Sequence, residues 1–248
     1  LILLYQKAAG SRVQDALSLR CIPQLHGAAK KTLNDALVSI ETEINSCCDN
    51  PIIWPGKKDA DVISACNPDS SYVGLAMDSS VIAATMLAKM SERRNNRLID
   101  GSLSGHPWFL IKNPGLNSGL MIPQYTQLVF NEMRILSTPA SIDNTPTCGN
   151  QEDYVAMGYN ATKKALIAAE KLEYILAIEL LSVYEAQHLF NLVSSGEKRL
   201  LDFSGNWQES TRHGNDMFLY PHIEWLRDMI HEGRIIDWAE KGMGKKLN

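Results

Sequence analysis

Asn160-Ala161-Thr162-Lys163-Lys164-Ala165-Leu166-Ile167-Ala168-Ala169-Glu170-Lys171-Leu172-Glu173-Tyr174-Ile175-Leu176-Ala177-Ile178 is the stretch that decides the fold. Aliphatic residues recur at three- and four-residue spacing, the signature of a helix with an apolar side. Extending the pattern both ways predicts one helix over residues 151–189, with Gly158 as its only breaker. At 1.5 Å per residue it is a rod of roughly 58 Å. The charges Lys163, Lys164, Glu170, Lys171 and Glu173 exclude a membrane span.

Three more helical patterns precede it. Residues 23–45 carry Leu25, Ala29, Leu33, Ala36, Leu37, Ile40 and Ile44 at helical spacing, with Pro23 suited to the first turn. Asp49-Asn50-Pro51 breaks that pattern. Residues 71–100 carry Leu75, Ile82, Met86, Met90 and Leu98 on an apolar side, Arg93 and Arg94 towards the C-terminal end, and Gly101 as the stop. Residues 120–136 form the third helix, after a loop rich in Gly, Ser, Asn and Pro. Helices this long exceed the usual 10–14 residues, and only other long helices cover their apolar faces. The expected fold is all-α: a bundle of very long antiparallel helices with a small helical C-terminal cap. Residues 1–195 are read as the bundle. Residues 196–248, with Trp207, Trp225, Trp238 and a short amphipathic pattern over 221–230, are read as a peripheral helical tail.

Composition narrows the function. The chain has 248 residues, 45% hydrophobic and 21% charged, with net charge −4. Its Lys and Arg are dispersed, so neither a nucleic-acid footprint nor a polybasic membrane patch is expected. The cysteines Cys21, Cys47, Cys48, Cys66 and Cys148 match no zinc or disulfide framework, and reduced thiols in a cytoplasm are the expectation. The six histidines show no ligand spacing, so no metal is expected. No phosphate loop, dinucleotide fingerprint or serine elbow appears; Ser194-Ser195-Gly196 lacks the strand-to-helix setting that an elbow requires. The chain begins Leu1-Ile2-Leu3-Leu4-Tyr5 without Met, consistent with a fragment or a processed chain.

Two short segments concentrate polar chemistry: 12–24 (RVQDALSLRCIPQ) and 145–153 (TPTCGNQED). Arg20 has the planar fork that grips a carboxylate at two points; its alternative is a helix-end ion pair. Gln14 donates and accepts through one amide, so it orients a ligand or ties down a turn. Asn150 suits an N-cap, and Glu152 and Asp153 suit a first helical turn beside the dipole. Glu152 has a second use, in which it turns into a cleft for acid–base work or holds an ammonium group.

These segments resemble the aromatic amino-acid ammonia-lyases (histidine, phenylalanine and tyrosine lyases and the related aminomutases). The resemblance runs over residues 10–190. It includes Val13-Gln14-Asp15, Ser18-Leu19-Arg20-Cys21, Asp49-Asn50-Pro51, Ser91-Glu92-Arg93-Arg94, 115–122 (GLNSGLMI), Pro139-Ala140-Ser141-Ile142-Asp143 and Asn150-Gln151-Glu152-Asp153. Gln-Glu-Asp followed by an aromatic or histidine looks closer to histidine lyases.

The resemblance implies a helical homotetramer with active sites shared between subunits, acting on a small amino acid. It also implies the electrophile MIO (4-methylideneimidazol-5-one), made autocatalytically from an internal Ala-Ser-Gly, with a tyrosine base. On that pattern Arg20 grips the substrate carboxylate, Gln14 supports the electrophile–substrate contact, and Glu152 meets the substrate amine or ring. Leu17, Asn67, Asn150 and Gln151 line the substrate. Three departures stand out. No Ala-Ser-Gly occurs in the chain. Leu17 stands where members usually carry a tyrosine. Cys66-Asn67-Pro68-Asp69-Ser70-Ser71 replaces a Gly-Asn-Phe-His-Gly-Glu-like stretch, keeping only the Asn. The expected function is the C-terminal portion of an ammonia-lyase, inactive alone. Its rivals are a MIO-dependent aminomutase and a non-catalytic scaffold or regulatory subunit pairing with a MIO-bearing partner.

Overall fold

A computed structural model describes residues 13–56, 59–111, 118–190, 212–213 and 216–247. A single turn, α1 (Leu17–Arg20), bends at Cys21 into α2 (Ile22–Ile44), whose first turn holds Pro23. A hairpin of β1 (Ile52–Pro55) and β2 (Ala60–Ile63), paired Ile52 to Ile63 and Pro55 to Ala60, leads to the long α3 (Ser71–Ile99). Then come α4 (Gly101–Ser104), a 3-10 turn at Trp108–Leu110, α5 (Met121–Thr126), a 3-10 turn at Gln127–Val129 and α6 (Phe130–Leu136). The longest rod is α7 (Gly158–Phe190). A two-residue ribbon, β3 (Arg212–His213) with β4 (Asp216–Met217), precedes α8 (Tyr220–His231) and α9 (Arg234–Met243).

The helical bundle agrees with the sequence, but the two longest rods run parallel to each other and not antiparallel as expected. Gly74 lies against Gly158, Lys164 pairs with Asp78, and Ser91 and Arg94 reach Glu179. These contacts advance along both chains together, so α3 and α7 run parallel. The α5–α6 connection returns antiparallel to them: Asn95 Nδ2 donates to Gln127 Oε1 (2.8 Å), and Thr85 Oγ1 meets Ser137 Oγ (2.7 Å). Helix α2 is also antiparallel to α3, because His26 near its start faces Arg94 near the end of α3.

Small residues make the α3–α7 seam. Ala76, Ala83 and Ala88 of α3 and Ala161, Ala168 and Ala177 of α7 are buried, while Leu75, Ile82 and Met86 of α3 stay exposed. Helix axes approach closely where side chains are short, so Leu75, Ile82 and Met86, expected on the buried side of α3, point outward, whereas Met90 is buried and Leu98 packs against the core as expected. One core cluster joins Val81, Ala88, Met133, Ala168 and Ile175; a second joins Ile178, Leu181 and Tyr184 to Ile223, Leu226 and Met229 of α8. The C-terminal helices therefore pack on the second half of α7. On α2 only Ala29 and Ala36 are buried, and Leu33, Leu37, Val38 and Ile44 remain exposed.

Polar groups lock the seam at two heights. The Arg94 guanidinium donates from Nε and Nη2 to Glu179, and the Ser91 hydroxyl donates to Glu179 Oε2 at 2.6 Å. Lower down, Asp78 is buried beside Lys164. Both acids sit in low-dielectric surroundings, where removing one partner strands the other charge.

Candidate functional site

The expected single helix over residues 151–189 begins later, at Gly158. The stretch before it is a left-handed turn. Cys148, Gly149 and Asn150 have φ of 49°, 64° and 68°. Thr147 and Glu152 close it: Thr147 N–H donates to Glu152 O at 2.8 Å, and Glu152 N–H returns to Thr147 O at 3.4 Å. Asn150 is thus a turn residue and not an N-cap, because the helix begins only at Gly158. Two non-glycine residues held at positive φ store backbone strain, which persists only where surrounding bonds over-determine it.

The turn presents the Glu152 carboxylate. Thr147 Oγ1 donates to Glu152 Oε2, and hydrogen bonds from the Thr147 and Cys148 side chains hold the carboxyl below its usual range. Glu152 is exposed, as are Asn150 and Gln151. In one chain the carboxyl is therefore ionised, with no desolvated cleft to raise its pKa.

The turn rests on a buried base. Asp78 Oδ2 accepts from Ser141 N–H at 2.9 Å and from the Ser141 hydroxyl, while Lys164 Nζ lies 2.8 Å from Asp78 Oδ1. Burial pushes the Asp78 carboxyl up, but the bonds from Lys164, Ser141 and the Ala140 backbone outweigh it and hold the group below its ordinary value. The Asn144 side chain then brackets the segment that follows the turn. Its Nδ2 donates to Asp153 O at 2.8 Å, and its Oδ1 accepts from Val155 N–H at 2.8 Å.

Asn67 stands just before α3. Its Nδ2 is buried without a hydrogen-bond partner among the described residues, so a donor is available there. Asp69 Oδ1 accepts from Ser71 N–H at 2.9 Å and caps the start of α3. Ser71 Oγ lies 3.0 Å from the Tyr154 hydroxyl, which joins the Asn67 segment to the Glu152 turn.

Gln14, Leu17 and Arg20 lie elsewhere. All three are exposed, and Arg20 has no carboxylate partner among the described residues. Helix α1 packs on α3. The neighbouring His26 is near Arg94; partial desolvation and then that guanidinium push its imidazole below the ordinary pKa. Ser71 and Tyr154 mark the opposite end of α3. From Ser71 to Arg94 the helix rises roughly 35 Å. One chain brings Asn67, Asn150, Gln151 and Glu152 to one end of the rod and Gln14, Leu17 and Arg20 to the other. It does not gather them around one ligand.

Thr147, Asn144 and Tyr154 were not singled out by sequence. The Asp143-Asn144 pair before Pro146 carries a turn signal, but its partners nine and eleven residues on are set by tertiary structure. Among the described residues no group of three or more His, Cys, Asp or Glu side chains is arranged to hold a metal ion.

The family model described as "Aromatic amino acid lyase" matches residues 2–203. "Histidine ammonia-lyase 2" of Fusobacterium nucleatum is 37% identical over 235 residues, covering 94% of this chain and 46% of that protein. The crystal structure of histidine ammonia-lyase from Trypanosoma cruzi superimposes with a TM-score of 0.83 at 31% identity, covering 92% of this chain and 45% of that one. Tyrosine aminomutase from Streptomyces globisporus gives 0.82 at 29% identity, covering all of this chain and 48% of that one. The chain spans about half the length of the curated relatives it matches. Its helical bundle, its ordered motifs and these matches together place it in the aromatic amino acid lyase family.

Proposed function

We propose that this chain supplies the carboxylate- and amine-gripping portion of an ammonia-lyase that eliminates ammonia from histidine or an aromatic amino acid. The observation that carries this reading is the placement of Arg20 and Glu152 at opposite ends of α3, both exposed and with Arg20 unpaired among the described residues. A guanidinium and an ionised carboxylate suit the two ends of a zwitterion, and only association of copies brings them together. The exposed Leu33, Leu37 and Val38 of α2 and Leu75, Ile82 and Met86 of α3 supply apolar faces for such copies, consistent with a homotetramer.

Arg20 takes the substrate carboxylate in two-point geometry. Glu152, held anionic by Thr147 and Cys148, takes the ammonium group or a ring N–H. Gln14 and Asn67 add amide donors, Asn150 and Gln151 flank Glu152, and Leu17 offers an apolar wall that transfers no proton. The chain contains no Ala-Ser-Gly and so has no precursor for MIO. That group, when present, supplies the electrophile that makes the amine a leaving group; we place it and the base outside these 248 residues. This polypeptide alone is then inactive.

The test is ammonia release by the complete protein from histidine, phenylalanine and tyrosine. An unsaturated acid is the expected product. Arg20→Ala raises KM about tenfold or more, as loss of a charge-assisted carboxylate contact requires. Unchanged kinetics reduces Arg20 to a surface residue. The likeness to a tyrosine aminomutase keeps a second product in view: a β-amino acid assigns the chain to mutase chemistry instead.

A further inference from the structure

Tyr154, the residue after Asp153, is tied into the site by its own hydroxyl and by backbone bonds on either side of it. The Asn144 amide holds the backbone on both sides of Tyr154, through Asp153 O and Val155 N–H, each at 2.8 Å. The chain direction at Tyr154 is therefore fixed, and its phenol ends 3.0 Å from Ser71 Oγ in the first turn of α3. Four residues upstream of Ser71 is Asn67, with its orphaned amide donor; two residues upstream of Tyr154 is Glu152. The floor beneath this junction is close-packed. A Cβ on Gly158 would meet Ser70 O at 2.9 Å, and one on Gly74 would meet Gly158 Cα at 3.5 Å. The ring itself is 60% exposed in the single chain, so packing alone does not hold it.

We propose that Tyr154 is a positioning residue: its hydroxyl, latched to Ser71, fixes the Glu152 turn relative to Asn67 so that the two polar groups approach one substrate in register. The inference rests on the lyase reading above. The latch bridges segments 83 residues apart in sequence. Apart from the Asp78–Ser141 bonds further along α3, no other side-chain hydrogen bond joins residues 141–155 to the start of α3 among the described residues. A carboxylate on a left-handed turn needs such a tie, because displacement of about 1 Å at a binding group is expensive.

The experiment compares the complete wild-type protein with Tyr154→Phe, Ser71→Ala and the double variant. Amide hydrogen exchange reads the latch without reference to activity. Both single variants speed exchange over residues 147–155, and the double variant is no faster than either. Steady-state ammonia release then reads positioning. Each single variant raises KM roughly two- to tenfold, the loss of one neutral hydrogen bond, with kcat changed less than about twofold. The double variant adds nothing further. Exchange identical to wild type, or independent additive effects, overturns the latch. Faster exchange with unchanged KM overturns the positioning role. A wild-type protein that releases no ammonia sinks the lyase reading instead, while the exchange data still decide whether the latch exists.

Discussion

Asp78 and Lys164 face each other across the α3–α7 seam, Nζ to Oδ1 at 2.8 Å, and the same carboxylate holds the Ser141 turn through its backbone N–H and hydroxyl. One buried acid thus joins two parallel rods and the loop that runs on to Glu152. Removing it strands the Lys164 ammonium and frees the turn. Asp78→Ala should cost about 3–5 kcal/mol in urea unfolding, the range for breaking a buried pair. The pH sign follows from the depressed folded value. Stability from Asp78 is present above the ordinary carboxyl value of 3.8 and is lost as pH falls through the lower folded value. Asp78→Asn should flatten the acid limb of the stability curve below pH 3.8; an unaltered limb refutes the assignment.

The Gly74–Gly158 approach sets how closely the rods meet. Gly158→Ala drives a methyl against Ser70 Cβ at 2.6 Å and Ser70 O at 2.9 Å. Overpacking against backbone costs about 1–3 kcal/mol. Thermal unfolding should show a lowered Tm for Gly158→Ala and an unchanged or raised Tm for Gly27→Ala, which lies inside α2 and whose Cβ position meets nothing within 4 Å.

Glu179 accepts from Arg94 and Ser91 at mid-height on the seam. Glu179→Gln leaves a mostly buried guanidinium without its counter-charge. A loss of about 3–5 kcal/mol is expected. Arg94→Met strands the equally buried Glu179 carboxylate and should cost a similar amount, while the double variant should cost less than the sum of the two; additive losses contradict this picture.

Two histidines give the C-terminal helices opposite pH responses. His231 Nδ1 lies 2.9 Å from Glu173, whose hydrogen bond raises the imidazole above its ordinary 6.5. Its contribution is complete below that value and fades as pH rises through the raised one. Buried His222 is pushed below 6.5 by desolvation, so its contribution fades as pH falls from 6.5 through the lower folded value. Protection of α8 amides, after correction for the pH dependence of intrinsic exchange, should therefore be greatest near pH 6.5. His231→Gln should abolish the decline on the alkaline side and leave the acid side in place.

The long rods were legible in sequence because their apolar residues repeat at 3.6-residue spacing over many turns, and Asp49-Asn50-Pro51 marked the first break. Which face each rod buries was not. Leu75, Ile82 and Met86 form an apolar stripe as good as the Gly74, Ala76 and Ala83 seam, and only close axis approach distinguishes them. The β1–β2 hairpin escaped notice because Ile52-Ile53-Trp54-Pro55 is too short to show alternation and is largely exposed. Acids at Glu152 and Asp153 read as a helix start, and the left-handed turn at 148–150 shows itself in sequence only as Cys148-Gly149-Asn150. The candidate site residues are named by resemblance alone. Their separation to opposite ends of α3 follows from antiparallel packing of α2, which no local pattern reveals.

The central claim is that Arg20 and Glu152 of different copies meet at one substrate. Mixing two impaired complete proteins, Arg20→Ala and Glu152→Gln, and assaying them at substrate well below the raised KM of Arg20→Ala tests it directly. After subunit exchange, about a quarter of the sites in randomly associated copies combine an intact Arg20 with an intact Glu152, and ammonia release returns to that order. Mixtures no more active than the average of the two parents, despite demonstrated subunit exchange, contradict a shared site.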